Sequence, residues 1–199
     1  MTQLLVHPVL LLTLLLGTPA VAGDLHDWKV KEHTGYVIAS APGKITPGEK
    51  QRFVFFKKDC TTVQHIFSVY TRQSNDFTKL KGKVIVVEFN GDKIGGEVRL
   101  VEKAMLGHVL MISFGSYNKD ILLPHLQKKI NISSKLVDGN NIIASEFFDV
   151  LENEWSTEGI EEAFAKSYET CMQSASIETP ASADDFQKGM DAYDNESHV

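Results

Sequence analysis

The sequence lacks the clustered positive charge with which nucleic-acid-binding proteins meet phosphates. Its short basic runs, Lys57-Lys58, residues 79–83 and Lys128-Lys129, are scattered along the 199 residues. Residues 174–199 hold six acids and one base, and so carry most of the net charge of −6. A DNA- or RNA-binding surface needs grouped Lys and Arg to displace counterions. We therefore expect no nucleic-acid partner.

The chain also lacks the residue spacings that mark catalytic and metal sites. Its seven histidines form no His-x-His and no His-Glu-x-x-His pattern, so no zinc site is indicated. No serine lies in Gly-x-Ser-x-Gly, and no helix is predicted after Gly91, Gly95 and Gly96, as a dinucleotide fingerprint requires. We predict no catalytic, cofactor-binding or metal-binding residue and no cofactor, which favours a non-enzymatic protein. A hydrolase whose site is assembled from distant residues is the alternative.

Charged side chains are absent from the first 23 residues, which contain an apolar run over residues 9–16. Ala20-Val21-Ala22 then supplies the small residues that a signal peptidase accepts, which predicts cleavage between Ala22 and Gly23. The run is shorter than the roughly 20 residues of a spanning helix. We expect residues 1–22 to be a signal peptide, with an uncleaved anchor as the alternative. The mature protein would be periplasmic or secreted, with no stable membrane span.

Only two cysteines are present, Cys60 and Cys171. In an oxidising compartment an even number of cysteines indicates disulfide bonding, and here a single intramolecular pairing is possible. Closing a loop of this length is worth about 4–5 kcal/mol in the chain-entropy model. Two buried free thiols are the alternative, and the absence of Cys-x-x-Cys argues against a redox site.

Hydrophobic and β-branched runs predict a body made mostly of strands. Asn90-Gly91 favours a two-residue hairpin, Asp138-Gly139-Asn140 indicates a second hairpin, and Gly95-Gly96 is typical of a bulge or bend. The predicted strands cover residues 35–40, 51–57, 63–71, 83–89, 92–101, 107–114, 130–137 and 141–150.

Two segments favour helix instead. Residues 117–129 have Asn118 as a possible N-cap, although Pro124 must lie in the first turn or kink the helix. Residues 156–173 repeat apolar or small side chains with a period of 3.6 residues, on a face that includes Cys171. The predicted fold is α+β and mainly β, with about eight short antiparallel strands, a C-terminal helix packed on the sheet and one disulfide. This domain would cover residues 24–173.

The order Phe53, Cys60, strands, Leu122-Leu123, a hairpin, Phe147-Phe148 and a final helix ending at Cys171 resembles small bacterial periplasmic domains. Some domains of this kind accompany secretion systems or host-invasion loci, and their biochemistry is mostly unassigned. The resemblance covers residues 24–173 and implies an accessory rather than a catalytic role.

A second resemblance lies in residues 183–194, Ala-Asp-Asp-Phe-Gln-Lys-Gly-Met-Asp-Ala-Tyr-Asp. This segment is similar to the opening helix of a tetratricopeptide-like repeat array, without the second helix of the repeat. A half-repeat cannot bury its own apolar face. Residues 174–199 are therefore expected to be either a truncated repeat or an acidic flexible tail without core contacts.

Together these features predict an exported, non-enzymatic binding or accessory domain that acts through contacts with a protein or a cell-envelope component. The alternative is an inhibitor or immunity-type protein directed against a cell-wall hydrolase, since such inhibitors are also small, exported, β-rich and disulfide-bonded.

Overall fold

A computed structural model describes residues 27–128 and 130–175 of the chain. It consists of nine antiparallel strands, three α-helices and a 3₁₀ turn at Phe77–Leu80. The helices are α1 (Lys119–Leu126), α2 (Ala144–Phe147) and α3 (Ile160–Ala175). The strands are β1 (Lys29–His33), β2 (Tyr36–Pro42), β3 (Lys50–Phe56), β4 (Asp59–Thr71), β5 (Val84–Phe89), β6 (Asp92–Ala104), β7 (Gly107–Asn118), β8 (Asn131–Val137) and β9 (Glu152–Ser156).

All nine strands belong to one curled sheet with the order β1-β2-β3-β4-β7-β6-β5-β8-β9. The curl brings its two edges together. The Lys44 amide, just after β2, donates to the Glu154 carbonyl of β9 at 2.8 Å. The Trp28 indole, just before β1, donates to the Ser156 carbonyl at 3.0 Å. The edge strand β9 therefore makes hydrogen bonds on both of its sides, to β8 and to residues next to β1 and β2.

The main core lies on the inner face of the curl, against α3. Phe164 of α3 lies 5.0 Å from Phe53 and 5.4 Å from Phe55, centroid to centroid. Phe67 meets Trp155 edge-on at 5.2 Å. Each fully buried side chain of this size contributes about 1.5–3 kcal/mol through removal of apolar surface from water, so the inner face is the main source of stability.

The predicted fold class is confirmed: the chain is mainly β, with α3 packed on the sheet and a disulfide between Cys60 and Cys171. The helix begins at Ile160 rather than at residue 156, and the predicted face is buried. Asn118 caps α1 as expected, accepting from the Asp120 amide at 2.8 Å. Pro124 lies in the second turn of α1, where it cannot donate to a carbonyl of the preceding turn.

The predicted strand over residues 141–150 is wrong. Asn140 and Asn141 both have positive φ, and the Asp138 carboxylate accepts from the Ala144 amide at 2.8 Å. These features turn the chain into α2, and the edge strand is β9 instead. Residues 29–33 form β1, which was not predicted because Val30 is the only apolar residue in this charged segment.

Of the bulge or bend predicted at Gly95-Gly96, the bulge is absent between β5 and β6, which pair without a shift through both glycines. The irregularity lies at Val98/Leu100, between β6 and β7. Gly96 is needed for another reason: a Cβ there would collide with the side chains of Ile112 and Phe114. The missing side chain lets the inner face pack closely.

Several predictions fall on residues that the structure does not describe. The signal peptide over residues 1–22, its cleavage between Ala22 and Gly23, and residues 176–199 of the predicted tail lie outside the described residues. Ser174 and Ala175, which were predicted to begin the tail, are the last residues of α3. Within residues 27–128 and 130–175, no helix combines the length and the apolar character that crossing a membrane requires.

Candidate functional site

The disulfide is the predicted feature that the structure places directly. Cys60, at the start of β4, and Cys171, in the last turns of α3, have Cα atoms 5.8 Å apart and are both buried. The bond ties the helix to the centre of the sheet. It is a structural bond with no exposed sulfur.

Four connections meet at one end of the curled sheet, because alternate strands of an antiparallel sheet reverse at the same end. They join β2 to β3, β4 to β5, β6 to β7 and β8 to β9. We call this set the loop end. Its residues are 43–49, 72–83, 105–106 and 138–151.

Four of the nine large apolar side chains that are exposed among the described residues lie on the loop end, and the other five, Ile121 and Ile130 among them, lie elsewhere. Met105 and Leu106 form the turn between β6 and β7 and are 89% and 72% exposed. Ile45 is 59% exposed and Ile143 48% exposed. Turn positions normally carry Gly, Asn, Asp, Pro or Ser, and a Met-Leu pair stabilises nothing in water. These side chains are suited to a surface that another molecule covers.

A buried polar cluster holds the β2–β3 connection against β9. The Glu49 carboxylate accepts from the Asn153 side-chain amide at 2.6 Å and from the Tyr70 backbone amide at 3.3 Å. The Asn153 side-chain oxygen accepts from the Ile45 amide at 3.0 Å. A Cβ at Gly43 would collide with the Asn153 side chain, so a glycine is required there. We call Glu49 and Asn153 the clasp.

The clasp contains a carboxyl group with a strongly altered acidity. Glu49 is 2% exposed, and burial raises the pKa of its carboxyl to about 7. The hydrogen bonds from Asn153 and from the Tyr70 amide oppose this rise, and the nearby charge of Asp149 adds to it. Burial penalises the ionised form because a low-dielectric interior solvates charge poorly. Glu49 therefore titrates near neutral pH.

The β4–β5 and β8–β9 connections are joined to each other by hydrogen bonds and one ion pair. Arg72 pairs with Asp149 at 3.3 Å, and the Thr71 hydroxyl donates to the Phe147 carbonyl at 2.9 Å. The Asn75 side-chain amide donates to the Glu146 carbonyl. The β6–β7 turn is close behind, since a Cβ at Gly107 would meet the Thr71 carbonyl. These contacts hold the connections of the loop end close together.

Among the described histidines His65 alone is buried, His33 and His108 are half-buried, and His125 is exposed. The His65 side chain lies on the inner face, stacked at 4.9 Å on Phe53, with Nε2 2.5 Å from the Gln51 side-chain oxygen. Burial lowers the pKa of His65 to about 3, so the ring is neutral in the folded state. Among the described residues, no group of three or more His, Cys, Asp or Glu side chains could hold a metal ion.

The loop end was not predicted from the sequence. Glu49 and Asn153 are 104 residues apart, and no local pattern links them. The Met105-Leu106 pair did carry a signal, since two adjacent apolar residues between strands contradict the usual composition of a turn.

Comparison of the chain with protein-family models, with curated proteins and with solved structures found no match.

Proposed function

We propose that this chain is an exported, non-enzymatic protein that binds a protein or cell-envelope component through the loop end. The observation that carries the proposal is the exposure of Met105, Leu106, Ile45 and Ile143 at one end of the sheet, where the clasp holds the β2–β3 connection against β9. Binding residues are often on loops that a rigid scaffold positions. Pre-ordered loops lose little conformational entropy when they bind.

Charge around the tips favours a protein partner over a nucleic acid. The bases at this end include Lys44, Arg72 and Lys79, and each lies within 4 Å of a carboxylate oxygen. An apolar centre with a rim of mixed charge is the usual composition of a protein–protein interface. Export is supported by the disulfide, since such bonds persist in oxidising compartments.

A double substitution tests the proposal. Met105→Ser with Leu106→Ser removes both apolar side chains from the most exposed turn and should not disturb the buried core. Losing two contacts of about 1–2 kcal/mol each should weaken binding by roughly 30- to 1,000-fold. The partner is captured from an envelope extract with the unaltered protein, and its affinity for each variant is then measured.

Ile121→Ser is the matched control, because Ile121 is 73% exposed but lies on α1, at the opposite end of the sheet. It should bind like the unaltered protein. If the Met105/Leu106 variant keeps full affinity, or if Ile121→Ser loses as much, the loop end is not the binding surface.

One observation favours the second candidate, an inhibitor of a cell-wall hydrolase. The Met105-Leu106 turn lies at the tip of the long β6–β7 hairpin, a shape suited to insertion into an enzyme cleft. The full chain, added in molar excess to a murein hydrolase digesting purified murein, should slow solubilisation of the murein, and the double variant should not. Unchanged digestion by hydrolases of each bond specificity would reject this candidate.

A further inference from the structure

The sheet has a second buried apolar surface, on the face turned away from α3. Cross-strand pairing places Ile38 opposite Val54. Because successive side chains of a strand point to opposite faces, both lie on the face opposite to Val37 and Phe53, which face the core. We call this surface the outer patch. Its buried members are Tyr36, Ile38, Val54, Ile66 and Met111.

The outer patch is covered too completely for a solvent-facing sheet. Its five members are 0–4% exposed. Their half-buried apolar neighbours, Phe56 and Leu100, are strand residues, whereas the buried and half-buried apolar side chains of α1, α2 and α3 belong to the main core. An antiparallel sheet with one core usually presents polar side chains on its other face. A patch of large apolar side chains at the middle of that face requires a cover.

Positive charge borders the outer patch. Lys31 pairs with Ile38 across β1 and β2, and Arg52 pairs with Ile66 across β3 and β4, so both lie on the outer face. Lys50 is two residues from Arg52 on the same strand and shares this face. The patch is therefore matched to an occupant that combines apolar and acidic residues.

The carboxy-terminal segment leaves the described structure on the core side of the sheet, next to the edge strand β1. Near the end of α3 the Ser174 hydroxyl donates to the Glu32 carboxylate at 2.5 Å, and Glu32 also pairs with Lys57 at 2.9 Å. Glu32 is on β1, the edge strand of the sheet. A chain that continues from Ala175 has only this strand to pass before it reaches the outer face. The patch extends over roughly 20 Å from β1 to β7 at about 4.8 Å per strand, which 24 residues can readily cross.

The composition of that segment is complementary to the patch. Residues 176–199 contain six acids and one base, and Phe186, Met190 and Tyr193 recur at the spacing of one helical face. We propose that residues 176–199 dock on the outer patch, placing these three apolar side chains over Ile38, Val54 and Ile66 and the acids beside Lys31, Lys50 and Arg52. The segment thereby becomes a second layer of the domain, in place of the free tail expected from composition.

Photo-crosslinking of the full chain tests this assignment. A photoreactive phenylalanine analogue at Tyr193 should give an intramolecular adduct in peptides that carry Ile38, Val54 or Ile66. The same analogue at Ile121 should give no adduct in those peptides. An adduct between two copies of the chain, an adduct elsewhere on the fold, or no adduct would each overturn the proposal.

A variant of the full chain supplies a second readout. Replacing Phe186, Met190 and Tyr193 together by Ser should increase the fluorescence of an apolar-surface dye several-fold and lower the Tm by about 5 °C or more. Replacing Asp184, Asp185 and Asp191 by Asn should make the dye fluorescence and the Tm less dependent on salt concentration. Unchanged dye fluorescence and Tm in the Ser variant would show that another segment or molecule covers the patch.

Discussion

The buried Glu49 carboxyl of the clasp makes the stability of the folded chain depend on pH in a specific direction. Its folded-state pKa of about 7 lies above the ordinary value of 4.5. Below pH 4.5 the carboxyl is protonated in both states and contributes no pH dependence. Between pH 4.5 and pH 7 the folded state holds the proton and the unfolded state releases it, so this contribution to stability falls as pH rises. Above pH 7 the loss is complete.

The size of this loss follows from the shift in pKa. A shift from 4.5 to about 7 corresponds to about 3 kcal/mol at roughly 1.4 kcal/mol per pH unit. Glu49→Gln removes the ionisation. It also removes one of two acceptor oxygens that face Asn153 and the Tyr70 amide, at a pH-independent cost of about 1–3 kcal/mol. The decisive quantity is therefore how the stability difference between the two proteins changes with pH.

Urea unfolding followed by tryptophan fluorescence measures that difference, since Trp28 and Trp155 are both buried. From pH 4.5 to pH 7, the variant should gain about 3 kcal/mol relative to the unaltered protein, with no further change at higher pH. Glu146→Gln removes an exposed carboxylate from the same end and supplies the baseline. A constant difference between Glu49→Gln and the unaltered protein across this range would refute the reasoning.

Three further predictions concern the core, the disulfide and the amino terminus. Because the pKa of His65 is lowered to about 3, its contribution to stability is complete above pH 6.5 and falls as pH drops toward 3; His65→Phe should flatten this acid limb in the same urea assay. Cys171→Ser opens a bridge spanning 111 residues, and the chain-entropy model gives a loss of about 5 kcal/mol in unfolding free energy. Calorimetry should show a lower Tm, and two reactive thiols in the unaltered protein would contradict the bond. Amino-terminal sequencing of the exported protein should begin at Gly23, and finding Met1 there would sink the signal-peptide interpretation.

The parts of the fold that were predictable are those that local sequence encodes. In α3, a single face containing Ile160, Phe164 and Cys171 recurs with helical period whatever the helix packs on. The disulfide was predictable because the sequence offers one partner for each cysteine. The β5–β6 hairpin followed from Asn90-Gly91, whose positive φ angles the structure retains.

The errors arose where tertiary contacts override a local pattern. Residues 141–150 contain enough apolar and aromatic side chains for a strand, but their apolar groups are used differently. Ala144 in the short helix α2 and Phe148 directly after it are buried. Phe147, the last residue of α2, lies edge-on to Phe77 at 6.0 Å. The composition of this segment is typical of a strand, but the segment folds into a short helix and a loop.

The loop end could not be predicted because its parts are far apart in the chain. The pKa of Glu49 is raised by burial, which arises only when the β2–β3 connection packs against β9. The Met105-Leu106 pair is unusual for a turn in the sequence alone, but its proximity to the other three connections follows only from the sheet order. The outer patch has the same character, since alternation along β2 and β3 is blurred where both faces are apolar.

The most direct measurement of the binding proposal is site-specific photo-crosslinking at the loop end. A photoreactive amino acid is placed at Leu106 or at Ile121 in the full chain, and each protein is irradiated in an envelope extract. We predict one dominant adduct from Leu106, competed away by excess unaltered protein but not by the Met105→Ser/Leu106→Ser variant, and no such adduct from Ile121. Equal labelling from both positions, or competition by the variant as strong as by the unaltered protein, would contradict the assignment of the loop end as the binding surface.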